Sequence, residues 1–253
     1  MAFFKTSNPA LTDKAFEKSV QIYNADTVKM TERGTLNKFF LLSLLVIASA
    51  SVTWSAFFQG KDVFPWMLGG LLGGFVVALI LIFNPSKAAF LAPVYALLEG
   101  VFVGGASAVY NHAFDKTAPG IVFQAVVLTF GTVIAMFALY RFQIIKVTDK
   151  FKSIVFTATL GIMFFYVIAF ILRLCHIDIP FLHQGSTIGI LFSLLVIGLA
   201  SMNLILNFDR IEQGVAMGAP RYMEWYGAFG LVMVIIWLYL EILNLLAKLN
   251  SRN

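Results

Sequence analysis

Seven apolar runs of roughly 20 residues each, separated by short polar connectors, constrain this chain more than any other feature. Because a helix rises about 1.5 Å per residue, a run of this length matches the roughly 30 Å hydrocarbon core of a bilayer. The runs do not alternate apolar with polar residues, as the strands of a membrane barrel would. The sequence therefore predicts an all-α polytopic membrane protein, a bundle of seven transmembrane helices. The predicted spans cover about residues 37–58, 66–84, 88–112, 120–140, 153–175, 187–209 and 226–247.

The composition supports a protein embedded in a lipid bilayer. Hydrophobic residues make up 60% of the chain and charged residues 12%, about half the charged fraction of a soluble domain. The net charge of +5 does not indicate a nucleic-acid partner, since the basic residues follow the connectors. We predict an N-terminal tail over residues 1–35 and a membrane domain over residues 36–248. Within the tail, residues 11–23 form either a short amphipathic helix on the membrane surface or a disordered segment.

The lysine and arginine distribution predicts the orientation, because cytoplasmic connectors are enriched in both residues. With a cytoplasmic N-terminus, the cytoplasmic segments carry 13 of the 18 basic residues and the opposite side carries five, including Lys248. The count favours an N-terminus inside and a C-terminus outside. An even number of spans, or a re-entrant segment, would instead place the C-terminus inside. The seventh run is the span in question, because it contains Glu241.

Asp209 and Glu241 are carboxylates within or at the edge of the last two apolar runs. One carboxylate near the bilayer centre costs roughly 2.5–3.5 kcal/mol on insertion scales, so ionisable residues there indicate functional sites by default. If the two side chains approach one another, they cannot both ionise cheaply and would bind a proton as a unit. The same pair, when ionised, offers oxygen ligands to a hard cation such as Ca²⁺. We therefore predict a pH sensor or cation pathway that includes both residues.

Glu99 is a third acid, near the middle of the third run. Either it faces the bundle interior as a proton or cation ligand, or it is a protonated structural side chain bonded to a neighbouring helix. We include it in the predicted pathway. Asn244 follows Glu241 at position i+3, so the two share a helical face and Asn244 is a supporting polar residue.

Polar residues also flank Asp209. Glu212 and Gln213 follow it at i+3 and i+4, so the three side chains share a face if the helix continues past the membrane edge. Asn203 and Asn207 are spaced at i and i+4, on nearly the opposite face from Asp209. This placement favours interhelical hydrogen bonds by the asparagines over a direct role in ion binding.

The motif content argues against an enzyme. The chain contains no G-x-S-x-G nucleophile turn, no H-E-x-x-H zinc motif and no nucleotide-binding glycine loop. The seventh run lacks a lysine that could form a Schiff base with retinal. We expect no cofactor; the ligands that the carboxylates favour are H⁺ and a hard cation such as Ca²⁺.

Six segments together resemble the Bax inhibitor family, also called the transmembrane Bax-inhibitor-motif family. They are SNPAL at 7–11, MTERGTLNK at 30–38, APVYALLEGVFVGGASA at 92–108, NLILNFDRIEQG at 203–214, GAPRYMEWYGAFGL at 218–231 and LYLEILNLL at 238–246. The last segment is the most specific, because the final span of the family typically reads L-Y-L-D-x-x-N-L. The resemblance is closest to a bacterial branch, which implies a bacterial plasma membrane.

The resemblance implies a seven-helix bundle with the last helix at its centre. It also implies a pH-sensitive Ca²⁺ leak, in which one acid on each of the last two helices acts as the sensor. Asp209 in N-F-D matches the first acid, and Glu241 in L-Y-L-E matches the second, where better-known members carry aspartate. The arginine latch of some members has no counterpart, since no arginine lies inside the first four runs.

Other members of the family are associated with regulating a membrane protease or suppressing cell death. A second hypothesis therefore stays open, in which the acids are structural and the chain is a regulatory protein without transport activity. In that case the N-terminal tail and the basic loop at 141–152 would bind a membrane-protein partner.

Overall fold

The computed structural model describes residues 29–174 and 186–251, which form seven long helices and one short 3₁₀ turn. All seven helices are long and apolar enough to cross a membrane. The predicted all-α membrane fold is therefore confirmed, while the segment at 11–23 lies outside the described residues. The helices are α1 (Glu32–Phe58), α2 (Phe64–Phe83), α3 (Ala88–Ala113), α4 (Ile121–Arg141), α5 (Asp149–Leu174), α6 (Thr187–Ala216) and α7 (Tyr222–Asn250), and the 3₁₀ turn is Pro85–Lys87.

The start of α1 and the end of α6 extend into segments that hydropathy assigned to polar connectors. Helix α1 begins earlier than its apolar run, because Thr31 caps it by accepting a hydrogen bond from the Gly34 N–H. Helix α6 continues past its apolar run as far as Ala216, and the chain then turns at Gly218, whose φ is 69°. Hydropathy identifies the part of a helix that lies in lipid, whereas caps and glycines determine where the backbone hydrogen bonding stops.

The described residues form two compact units. Unit one comprises the described parts of Tyr110–Ile205 and Trp237–Asn253, and unit two comprises the described parts of Asn8–Val109 and Leu206–Ile236. Helices α3, α6 and α7 each contribute residues to both units. Because of this division, Asp209 and Glu99 belong to unit two and Glu241 belongs to unit one.

Helix α7 is the most buried of the described helices. Of the residues in its most apolar 18-residue stretch, 61% are buried, against 11–50% in the corresponding stretches of the other helices. The seventh apolar run, whose span the sequence left in question, is therefore one continuous helix of membrane-spanning length.

Two glycines of α3, four residues apart, allow a close approach between helices. A Cβ added to Gly100 would lie 1.9 Å from the Ser49 hydroxyl oxygen, and one added to Gly104 would lie 2.2 Å from the Ala50 carbonyl oxygen. The backbone of α3 therefore contacts α1 at a distance that permits only glycine.

Candidate functional site

Glu241 lies inside α7 in unit one, and its side chain is buried, with an exposure of 8%. The Tyr166 hydroxyl of α5 donates a hydrogen bond of 2.7 Å to Glu241 Oε1. Within the described residues, the other carboxylate oxygen is buried and accepts no hydrogen bond. The Trp237 side chain, one turn earlier on α7, also interacts with the carboxylate. It does not donate a hydrogen bond to Oε2. The carboxylate thus has one hydrogen-bond donor on a neighbouring helix.

Lys248 lies two turns after Glu241 on α7 and is also buried, with an exposure of 2%. Its ammonium donates to the Ser193 hydroxyl at 2.8 Å and to the Gly189 carbonyl at 3.3 Å, both on α6. The positive charge of Lys248 also attracts the Glu241 carboxylate electrostatically. Unit one therefore contains a buried acid and a buried base on the same helix.

Two basic residues that the orientation count treated as connector charges are buried inside helices. Lys248 belongs to the last turn of α7, and Arg210 belongs to α6, whose helix continues to Ala216. Arg210 lies close enough to Tyr226 to act on it electrostatically. Both helices continue beyond their apolar runs, so the two residues are buried helix residues and not connector charges, and the orientation itself stays a prediction.

Asp209 is half-buried in α6 within unit two. The Gln213 amide donates a hydrogen bond of 2.7 Å to Asp209 Oδ2, one turn further along the helix. Glu212 is exposed on the same polar end of α6. The prediction that these three residues share a helical face is therefore confirmed, because the helix continues beyond the apolar run.

The two asparagines make the interhelical hydrogen bonds that the sequence favoured. The Asn203 amide donates to the Thr159 hydroxyl of α5 at 3.0 Å and to the Leu199 carbonyl at 2.9 Å. The Asn207 amide donates to the Gly230 carbonyl of α7 at 3.3 Å. Both side chains are buried, so they connect α6 to its neighbours within the two units.

Glu99 is half-buried in α3 and hydrogen-bonds with the Tyr95 hydroxyl one turn earlier. A Cβ added to Gly74 of α2 would lie 2.9 Å from Glu99 Oε1, so the carboxylate occupies the space that this glycine leaves open. The Tyr95 ring meets the Phe229 ring edge-on, with centroids 4.7 Å apart. Asn244, the remaining predicted residue, is half-buried on α7.

The structure therefore assigns the predicted acids to different surroundings. Unit two contains Asp209 and Glu99, and unit one contains Glu241. The proximity of Asp209 to Glu241 stays a prediction. Across residues 29–174 and 186–251, no three His, Cys, Asp or Glu side chains come together as a candidate metal site.

Sequence reasoning missed a buried ion pair in unit two, between Lys38 of α1 and Glu224 of α7. Glu224 Oε1 also accepts hydrogen bonds from the Thr31 backbone N–H and the Thr31 hydroxyl, each at 2.9 Å. The Lys38 ammonium lies 5.5 Å from the centre of the Trp225 ring. We call the group of Thr31, Lys38 and Glu224 the α1–α7 clasp.

The backbone around the clasp joins two of the segments that carried the family resemblance. The Met30 N–H donates to the Ala219 carbonyl at 2.6 Å, and Lys29 forms an isolated β-bridge with Pro220. Segments 30–38 and 218–231 therefore pack against each other. The signal that could have found Glu224 was its position in the second of these segments.

Seven membrane-length helices with buried ionisable residues define a polytopic membrane protein of the kind that encloses polar groups within a bundle. Residues 8–251 match the family model described as Bax inhibitor 1 like, so the chain belongs to the Bax inhibitor family. No curated protein and no solved structure matches the chain significantly.

Proposed function

We propose that this member of the Bax inhibitor family is a pH-sensitive Ca²⁺ leak. In this proposal Asp209 and Glu241 form the proton-sensitive pair, and Glu99 is a third acid in the ion pathway. The observation that carries the proposal is the environment of Glu241, a carboxylate buried inside α7 with one hydrogen-bond donor, Tyr166, on another helix.

An ionised carboxylate in an apolar bundle is costly unless other groups compensate its charge. A proton or a bound cation supplies that compensation, and both bind to the same carboxylate oxygens. Protonation of Glu241 also changes its contact with Tyr166, because a carboxylic acid donates a hydrogen bond as well as accepting one. The protonation state is thereby coupled to the packing of α5 against α7, which is how pH would control the path.

Asp209 would bind the ion nearer the polar end of α6. Its carboxylate is half-buried and is oriented by Gln213, while Glu212 adds a second negative charge on the same helical turn. Carboxylate oxygens are the preferred ligands of Ca²⁺. We therefore propose that Asp209 binds the ion at its entry and, together with Glu241, responds to pH.

The proposal is tested by Ca²⁺ influx into liposomes that contain the purified protein, measured with an enclosed dye at several pH values. We expect flux above that of empty liposomes, a clear dependence on pH, and loss of both in an Asp209→Asn, Glu241→Gln double variant. Asp115→Asn, an exposed carboxylate in the connector after α3, is the matched control and should retain the flux. Unchanged flux in the double variant, or no flux from folded wild-type protein, would refute the proposal.

A second candidate function is the regulation of a membrane-protein partner. The observation in its favour is the loop after α4, which exposes Phe142 and Ile144 beside the basic residues Arg141, Lys146 and Lys150. Aromatic residues and arginine, here Phe142 and Arg141, are enriched in protein interfaces. A pull-down would test it: a specific partner lost on deletion of residues 1–30 or on substitution of the loop cations, with no flux from the purified protein, would favour this function over the leak.

A further inference from the structure

We infer that Lys248 is the built-in counter-ion of Glu241 and thereby determines the charge selectivity of the ion path. The part that concerns selectivity rests on the proposed leak function. The counter-ion pairing itself is a statement about unit one and can be tested without flux.

The inference starts from the position of the Lys248 ammonium. The group is buried and is held by two oxygens of α6, the Ser193 hydroxyl at 2.8 Å and the Gly189 carbonyl at 3.3 Å. These are neutral acceptors, so they satisfy hydrogen bonds but do not balance the charge. A buried ammonium requires an opposite charge nearby.

Helix dipoles do not supply that opposite charge. Lys248 lies in the last turn of α7, where the carbonyl ends attract a cation. Its ammonium also contacts Gly189 in the first turn of α6, where the N–H ends repel a cation. The two effects act in opposite directions, so neither helix end neutralises the ammonium.

Glu241 supplies the compensating charge. Lys248 follows Glu241 by seven positions on α7, a rise of about 10 Å along the helix axis. Because seven positions are close to two full turns, the two side chains lie on the same helical face. The other titratable groups that face the Glu241 carboxylate are Tyr110 of α3 and Tyr166 of α5, which are phenols and therefore carry no positive charge. Among the described residues, Lys248 is the cation whose charge acts on Glu241.

The consequence is a prediction about which ions pass. With both side chains charged, this pair contributes no net charge to unit one. Removing the ammonium leaves a negative charge that attracts cations, and removing the carboxylate leaves a positive charge that attracts anions. At an effective dielectric constant of about 20, one charge at about 10 Å changes the occupancy of a monovalent ion by about 15-fold and that of a divalent ion by more than about a hundredfold.

The experiment compares Lys248→Met, Glu241→Gln, the double variant and Lys116→Met, an exposed connector lysine that serves as the matched control. Ca²⁺ and Cl⁻ fluxes into liposomes give the first readout. We expect Lys248→Met to raise the Ca²⁺ to Cl⁻ flux ratio by at least about tenfold and Glu241→Gln to lower it by at least about tenfold. In the double variant the two opposite changes in charge should largely cancel whether or not the residues interact, so the pairing itself is tested by unfolding and not by this ratio. An equal Ca²⁺ to Cl⁻ flux ratio in all variants would overturn the claim that Lys248 determines the charge selectivity.

Thermal unfolding in detergent gives the second readout and does not depend on flux. Each single variant leaves a buried charge without its counter-ion, so we expect each to lower the Tm by roughly 5 °C and the double variant to lower it by less than the sum. Ser193→Ala, which keeps the charge and removes one hydrogen bond, should have a smaller effect. Additive Tm changes would overturn the pairing. If the Tm changes are non-additive but the wild-type protein gives no Ca²⁺ flux, the pairing of Lys248 with Glu241 stands and the proposed leak function is refuted.

Discussion

Two carboxylates of α7 are almost equally buried and yet have different surroundings. Glu224 in unit two, 3% exposed, accepts two hydrogen bonds from Thr31 and forms a direct ion pair with Lys38. Glu241 in unit one has one donor, Tyr166, and its nearest described counter-charge is Lys248, two turns away. Burial therefore does not distinguish the two acids, whereas their donors and charges do.

The difference indicates different roles. A buried carboxylate whose oxygens are occupied by several donors and a cation gains nothing from a proton or a metal ion, so Glu224 stabilises the packing of α1 on α7. A buried carboxylate with one donor on another helix and a counter-charge two turns away is compensated only in part. Glu241 is therefore the acid at which pH and a cation can act.

The first prediction would break the α1–α7 clasp. Glu224→Ala removes the acceptor of Thr31 and leaves the largely buried Lys38 ammonium without its partner, so we expect a loss of about 3 kcal/mol of unfolding free energy. Thermal unfolding in detergent measures it. Asp115→Ala, at an exposed connector carboxylate, should change stability by no more than about 0.5 kcal/mol. A similarly small effect at Glu224 would remove the contrast between the two acids.

A second prediction concerns the space around the same carboxylate. A Cβ at Gly34 would lie 2.1 Å from Glu224 Oε1, so Gly34→Ala must displace a side chain that several donors hold in place. We expect a loss of about 2 kcal/mol and no change in the pH dependence of Ca²⁺ flux. Gly69→Ala is the matched control, because nothing lies within 4 Å of a Cβ at that helical position. It should be neutral or slightly stabilising.

The third prediction sharpens the comparison at Glu241. Tyr166→Phe removes the single donor to Oε1, and we expect a loss of only about 1 kcal/mol, the usual contribution of one hydrogen bond. The Ca²⁺ flux and its pH dependence should nevertheless change, since this bond is the contact that protonation alters. The pattern is the reverse of that expected for Gly34→Ala. A stability loss as large as that of Glu224→Ala, without any effect on flux, would make Glu241 a structural acid as well.

Much of this description could be predicted from the sequence. Apolar runs near 20 residues identified each described helix, and the position of Asp209 correctly indicated a helical face shared with Gln213. The interhelical role of Asn203 and Asn207 followed from their spacing. These features depend on residues a few positions apart, so a local pattern is sufficient to find them.

The partners of the buried charges could not be predicted in this way. Lys38 pairs with Glu224, 186 positions away in the chain, and Lys248 bonds to Ser193, 55 positions away. Hydropathy treated Lys248 as a connector charge, because it measures affinity for lipid and contains no information about which helices are neighbours. Only the packing of the helices determines whether a charge meets a donor, a counter-ion or neither.

The sequence by itself determined the helical class, the apolar runs that form the described spans, the family and three of the acids that had to be explained, Asp209, Glu241 and Glu99, because the solvation cost of apolar runs and of buried carboxylates is a property of each residue. The tertiary structure decided which acid is compensated, Glu224 by the clasp and Glu241 only in part. The physical reason is that compensation requires groups from several helices to meet within hydrogen-bond or ion-pair distance.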